Sequence, residues 1–255
     1  MPAPPGGVQG PAPGAGPVDP EVAAQAEDRA AFQNVDGAVD KFTDVPKIGA
    51  YFNTECPQKW RAANRNHASV LDRCRTVGIT EAQVNALVGY TGPGYAPMNR
   101  LTRGQMKSTY FKTAFQPYVT ASSVALTKLN DGKKKNSQRG WRTIPGGDRD
   151  ASVIENLYGR EYVDEAGYMS TTLNSDQSMF AGPVSLQITA SEGVNIKDFS
   201  LFPSEGEVLF KPGTRFKVKR FHKNADVEAA WKAWHRDNTQ PKPAKPWFEV
   251  DLEGP

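Results

Sequence analysis

Helix-like and strand-like patterns occupy separate halves of this chain, and that segregation constrains its fold more than any single motif does. From Pro20 to about residue 130 the sequence runs in alanine-rich, charged segments with apolar residues at helical spacing. "DPEVAAQAEDRAAFQ" places Pro20 in a first turn behind Asp19, and residues 57–76 and 79–89 read as further helices, the second opened by Thr80 as N-cap. "YTGPGYAPMNRLTRG" turns into a helix from about Ala96, and residues 105–129 read as one or two more. From residue 138 the runs shorten and alternate. "QRGWRTIP", "GYMSTTL", "PVSLQIT", "EVLFKPGTRFKVKRF" and "WFEVDLE" read as strands, with "KPGT" turning between two of them and "ADVEAAWKAWHRD" as a short helix before the last. Helices first and strands later predict an α+β fold with an antiparallel or mixed sheet.

Residues 1–20, "MPAPPGGVQGPAPGAGPVDP", hold almost no charge and no aromatic residue, so they cannot bury enough surface to offset the entropy of ordering. They read as a flexible linker, and residues 21–255 as the working domain: a helical half over about 21–130 and a β-rich half over about 138–255. A hydrophobic content of 38% in 255 residues suffices for one core plus such a tail. The net charge of +3 is too small to argue for nucleic-acid binding. No apolar run approaches the roughly 18 residues of a membrane span, and no basic-then-apolar leader is present. The expectation is a soluble chain that, if exported, leaves by a route needing no removable signal. Cys56 and Cys74 read as free thiols rather than a bridged pair, and His67, His222 and His235 are scattered, so no metal site is expected.

Four pieces carry candidate chemistry. Arg142 lies in the strand-like "GWRT", and Ser170, Thr171 and Thr172 form a hydroxyl run. Glu205 and Glu207 stand before "VLF", with Phe202 three residues ahead of the first glutamate. Upstream, Tyr90, Tyr95, Asn99 and Arg103 line a turn into a helix. Each has an ordinary explanation alone: an arginine packed beside a tryptophan, hydroxyls favoured by strand propensity, glutamates facing water. Together and in this order they resemble the ADP-ribosyltransferase superfamily, in the branch marked by Arg, then Ser-Thr-Ser, then Glu-x-Glu that many bacterial toxins share. "GWRT", "GYMSTT" and "FPSEGEVLF" carry the resemblance, "KPGTRFKV" is similar to the strand that follows, and "YTGPGYAPMNRLTR" is similar to a Tyr and Asn-x-x-x-Arg pattern of the helical half. Two positions depart from the pattern: Thr172 stands for the second serine, and Thr143 where glycine is frequent.

The resemblance implies a mixed β-sandwich core with an N-terminal helical half, and NAD as a consumed substrate with no metal. Glu207 is the implied catalytic carboxylate, stabilising an oxocarbenium-like transition state as nicotinamide leaves. Ser170 would orient Glu207, Thr172 and Thr143 would line the nicotinamide side, and Arg142 would hold the pyrophosphate with its planar fork. Glu205 would hold and deprotonate an acceptor guanidinium, both carboxylates reaching one cleft because residues two apart on an extended segment face the same way. Phe202 either packs against the acceptor protein or anchors its own turn. Phe180 is placed near the nicotinamide phosphate, the basic run "DGKKKNSQR" (131–139) reads as a solvated loop, and Trp231 and Trp234 as packing.

The implied activity is transfer of ADP-ribose to an arginine of a target protein by a toxin or effector. Such a protein would be secreted or translocated, act in the target-cell cytoplasm, and meet an immunity protein that blocks its cleft if the prey is bacterial. Two other readings stay open: the same site acting on nucleic acid, another side chain or water, and a non-catalytic interaction protein.

Overall fold

The computed structural model of the protein describes residues 19–33, 35, 40–131, 138–144, 151–173, 182–236, 239 and 242–255. Most of the Pro/Gly-rich leader, Phe180 and residues 132–137 of the basic run lie outside them. The helical half opens with α1 (Pro20–Gln33), where the Asp19 side chain accepts the Glu21 N–H at 2.8 Å. Asp44 caps α2 (Val45–Ala50), which passes through a π turn into α3 (Cys56–Ala63). The helix expected over 57–76 breaks at Asn64, whose backbone is extended, and resumes as α4 (His67–Thr76). Thr80 and Gln83 form a reciprocal capping box on α5 (Glu81–Gly89), which satisfies two N–H groups that a helix start leaves open. A second π turn, Tyr90–Gly94, leads into α6 (Tyr95–Thr102), and α7 (Thr109–Asp131) is a single helix despite Pro117.

Aromatic rings fill the centre of this half. Phe32, Phe42, Phe52, Phe111 and Phe115 are buried and meet largely edge to face, Phe32 and Phe111 at 5.3 Å between ring centres. Two carboxylates of α1 close the start of α7. Asp28, fully buried, accepts the N–H groups of Lys107 (3.0 Å) and Ser108 (2.8 Å) and a guanidinium nitrogen of Arg100 (3.0 Å). Glu21 accepts the Ser108 hydroxyl at 2.6 Å and the N–H groups of Thr109 and Tyr110, and these bonds push its carboxyl down to about 2.

The strand half contains β1 (Gln138–Ile144), α8 (Ala151–Tyr158), β2 (Tyr162–Glu165), β3 (Met169–Thr172), β4 (Val184–Ala190), β5 (Val194–Asn195), β6 (Glu207–Phe210), β7 (Thr214–Lys223), α9 (Glu228–Arg236) and β8 (Phe248–Glu253). These strands hydrogen-bond in the order β2-β7-β8-β4-β1-β3-β6-β5, with β4 and β8 parallel and the other pairs antiparallel. The sheet is therefore mixed, as expected. Its crossings are uneven: β1 meets β4 over seven residue pairs but β3 through one, Trp141 opposite Thr172. At that seam the sheet turns back on itself. Phe210 on β6 and Phe216 on β7 are five strands apart in the order, about 24 Å on a flat sheet, yet their rings lie 5.3 Å apart. Met169, Val208 and Phe210 from one leaf share a buried core with Leu186, Ile188, Val250 and Leu252 from the other, so the two leaves form a sandwich.

Trp231 is fully buried against Trp234 and donates its indole N–H to the Lys245 carbonyl, the packing role expected of the pair. Cys56 and Cys74 are buried and unbridged. Among the described residues, no helix is long and apolar enough to cross a membrane, and no group of His, Cys, Asp or Glu is arranged to hold a metal ion.

Candidate active site

Alternation along the paired strands β3 and β6 builds the floor of a cleft. Register partners Ser170–Leu209 and Thr172–Glu207 share one face, which meets the helical half, while Met169, Thr171, Val208 and Phe210 point into the sandwich. Glu207 is only 8% exposed, and it accepts a hydrogen bond from the Ser170 side chain. Burial drives its carboxyl up to about 7; the negative charge of Glu205 adds to the rise, and Ser170 and Arg142 oppose it. Arg142 reaches across the seam from β1 and donates to the Ser170 carbonyl at 2.8 Å. The same strand therefore carries the orienting hydroxyl on its side chain and the arginine contact on its backbone.

Glu205 also faces the cleft, but not by strand alternation, and here the sequence reading needs correcting. It ends a short 3₁₀ turn, Pro203–Glu205, and Gly206 follows in the left-handed region (φ 58°), a conformation that costs glycine little. The turn, not an extended segment, aims the carboxylate. Thr172 donates its hydroxyl to the Glu205 carbonyl at 2.6 Å, and Leu173 N–H bonds the Gly206 carbonyl. Partial burial raises the Glu205 carboxyl above its ordinary range. Phe202 is 53% exposed, so it anchors no core and stands at the rim. Thr143 lines the cleft beside Arg142.

The helical half supplies the opposite wall. Asn99 donates to the Tyr90 hydroxyl at 3.4 Å and accepts the Tyr168 N–H at 2.7 Å, tying α6 to the residue before β3. Arg103 donates to Glu165 at 3.1 Å, and Glu165 also accepts the Gly167 N–H. A side chain at position 167 would come within 2.7 Å of both Arg103 and Asn99, so only glycine fits that close approach. Burial and the Glu207 charge push the Tyr90 hydroxyl pKa up, keeping it neutral. Tyr95 stands half-exposed at the mouth.

Between the walls lies a cavity of about 700 Å³, and every described residue singled out from the motifs lines it. Thr91, Arg100, Gln105, Trp141 and Lys242 line it as well. None of those five was selected from sequence. Trp141 stood inside the arginine motif and offered a signal, whereas Lys242 sits in a Pro/Lys-rich connection without one. A buried carboxylate that titrates near neutrality, beside a second carboxylate and a fixed guanidinium, can stabilise a developing cationic sugar next to an anionic diphosphate.

The description of the NAD:arginine ADP-ribosyltransferase family fits residues 44–233 of this chain. The chain belongs to that family. The match takes in all of the cleft motifs and leaves α1 and β8 outside. The NAD(+)-protein-arginine ADP-ribosyltransferase Tre1 of Serratia proteamaculans is 31% identical over 160 residues, 62% of this chain and 33% of that protein. The chain thus spans about a third of the length of that relative. Among solved structures, the type III effector XopAI of Xanthomonas axonopodis pv. citri superposes with a TM-score of 0.57 at 18% identity, covering 92% of each chain. Exoenzyme S of Pseudomonas aeruginosa, solved with human 14-3-3 protein beta and bound to carba-NAD, superposes with a TM-score of 0.51 at 19% identity, covering 81% of this chain and 88% of that one. At these identities the two structures show a shared fold alone, and the family membership rests on the match over residues 44–233.

Proposed function

We propose that this ADP-ribosyltransferase domain transfers ADP-ribose from NAD to an arginine of a target protein and releases nicotinamide. The observation that carries the reading is the pair Glu205 and Glu207 converging on one cleft with different environments. Glu207 is buried and fixed on β6, and Glu205 is half-buried on a turn. In the reaction the glycosidic C–N bond of NAD breaks with its electron pair passing to the nicotinamide ring, which discharges the pyridinium. Ionised Glu207, oriented by Ser170, stabilises the sugar cation through a ribose hydroxyl. Arg142 holds the diphosphate, while Thr143 and Thr172 shape the nicotinamide side. Glu205 accepts a proton from the guanidinium, whose freed lone pair forms the new bond to the ribose carbon. Phe202, exposed beside Glu205, meets the acceptor protein.

The proposed setting is that of an effector: exported or translocated, acting in the cytoplasm of a target cell, and neutralised by an immunity protein seated over the cleft where the prey is bacterial. The names of its relatives, an exoenzyme and a type III effector among them, support that setting. Incubation with labelled NAD and cell lysate tests the reaction. Label is expected on arginine side chains of protein, with hydroxylamine-sensitive linkage and none from Glu207→Ala. Label on nucleic acid, or nicotinamide release with no acceptor product, would overturn the assignment to protein arginine.

A further inference from the structure

Residues 200–206 carry Phe202 and Glu205, yet little in them reaches a core. Ser200 is buried and Leu201 half-buried against the helical cluster, while Phe202, Pro203 and Ser204 are exposed. Internal bonds shape the segment: Phe202 N–H to the Ser200 hydroxyl at 2.9 Å, and Glu205 N–H to the Phe202 carbonyl at 3.1 Å. Its position relative to the cleft is set from outside, by the Leu173 N–H bonded to the Gly206 carbonyl, by Leu201 against the helical cluster and by threonine hydroxyls on opposite walls. From the strand side Thr172 donates to the Glu205 carbonyl. From the helical side the Thr91 hydroxyl accepts the Leu201 N–H at 3.0 Å and donates its own proton to the Val88 carbonyl at 2.9 Å. That second bond fixes the rotamer of Thr91 on the π turn Tyr90–Gly94, so the hydroxyl holds a defined place from which to receive Leu201.

We propose that Thr91 is a positioning residue that decides how the cleft divides ADP-ribose between an acceptor guanidinium and water. The inference rests on the transferase reading above. Glu207 is held by β6 and its pairing with β3, neither of which involves Thr91. Glu205 rides on the turn that Thr91 tethers. Loss of the tether leaves the sugar-stabilising carboxylate in its strand and lets the acceptor carboxylate wander. Attack by a guanidinium needs one orientation of that carboxylate, and attack by water needs none, so the two outcomes respond unequally. The Thr91 hydroxyl thereby links the helical half to acceptor choice through the turn that carries Glu205.

The test uses the purified chain, NAD and a small guanidinium acceptor such as agmatine. It follows acceptor adduct and free ADP-ribose together, with hydrogen exchange across residues 200–206. For Thr91→Val the ratio of adduct to free ADP-ribose is expected to fall about tenfold, the effect of one hydrogen bond of about 1.4 kcal/mol. Thr91→Ser, which keeps the hydroxyl, is expected to restore the ratio to within about twofold of wild type. The Leu201 amide should exchange slowly in the wild type and faster in Thr91→Val. An unchanged ratio in Thr91→Val, or adduct and hydrolysis falling in parallel, overturns the role of Thr91. Should Thr91→Val fail to fold, rapid exchange of the Leu201 amide in the wild type still overturns it, and a depressed ratio in Thr91→Ser does the same. A wild type that makes no adduct at all overturns the transferase reading, an outcome distinct from normal transfer with an indifferent Thr91.

Discussion

Both halves of the molecule enclose carboxylates in hydrogen bonds or in apolar surroundings, and they treat them in opposite ways. Asp28 is buried and Glu21 stays partly exposed in one, and Glu207 is buried in the other. In the helical half, Asp28 and Glu21 are surrounded by N–H and hydroxyl donors at the start of α7, and the carboxyl of Glu21 is pushed down to about 2. In the strand half, Glu207 is withdrawn from water with few donors to replace it, and its carboxyl rises to about 7. The chemical group is similar; its burial and its supply of donors both differ, Glu207 being raised first by loss of water and Glu21 lowered first by the Ser108 hydroxyl. A carboxylate saturated with hydrogen bonds closes structure, and one left short of them is held ready to exchange a proton or meet a cation.

The sharpest way to break this comparison is Glu207→Gln. It should lower nicotinamide release about 10³-fold, the size of one removed transition-state contact. The same variant should be more stable than wild type in alkali. Glu207 has a folded-state pKa above the ordinary 4.5, so its share of stability is present while it is protonated and is lost as pH rises through about 7. Thermal unfolding should therefore show a gain for Glu207→Gln of about 3 kcal/mol at pH 8 that vanishes near pH 4. A flat difference across pH would show that burial of Glu207 carries no strain.

Asp28→Ala is the converse experiment. It leaves Arg100 and two N–H groups without their buried acceptor, and urea unfolding should report a loss of about 3–5 kcal/mol. A neutral result would dissolve the contrast between the halves. A subtler change is Glu205→Gln. The charge of Glu205 raises the pKa of Glu207, so the rise of kcat/KM for NAD, expected through about pH 7 as Glu207 ionises, should move to lower pH when that charge is removed. Smallest of all is Thr80→Ala, which breaks the capping box of α5 far from the cleft. It should cost about 1 kcal/mol in urea unfolding and leave the pH profile where it was.

Much of this arrangement was legible in the residues. The strands with alternating patterns, β1, β4, β7 and β8, stand where the alternation placed them, and the "GWRT", "MSTT" and "SEGE" positions meet in one cavity. What was not legible has physical causes. β5 has two residues and β2 four, too short for a period to declare itself, and α8 follows a glycine-rich stretch that masks its onset. Asp28 looks like one more charged residue in an alanine-rich helix, because its partners lie about 80 positions away and local spacing cannot reveal them. The aim of Glu205 was anticipated for the wrong reason: the pattern of two suggested a strand, and Gly206 bends the chain instead. Thr91, inside a Gly/Pro turn, carried no signal beyond its neighbours.

The single residue pair joining β1 to β3 has a consequence for how the protein coheres. Across that crossing the sandwich has almost no ladder of its own, and the Arg142 contact to the Ser170 carbonyl is among the bonds that span it. A substrate lying against both strands would therefore act as mortar at the weakest joint of the sheet. Such a substrate would strengthen the fold by RT times the logarithm of one plus the ratio of its free concentration to its Kd, so the seam between β1 and β3 would firm up as substrate is added.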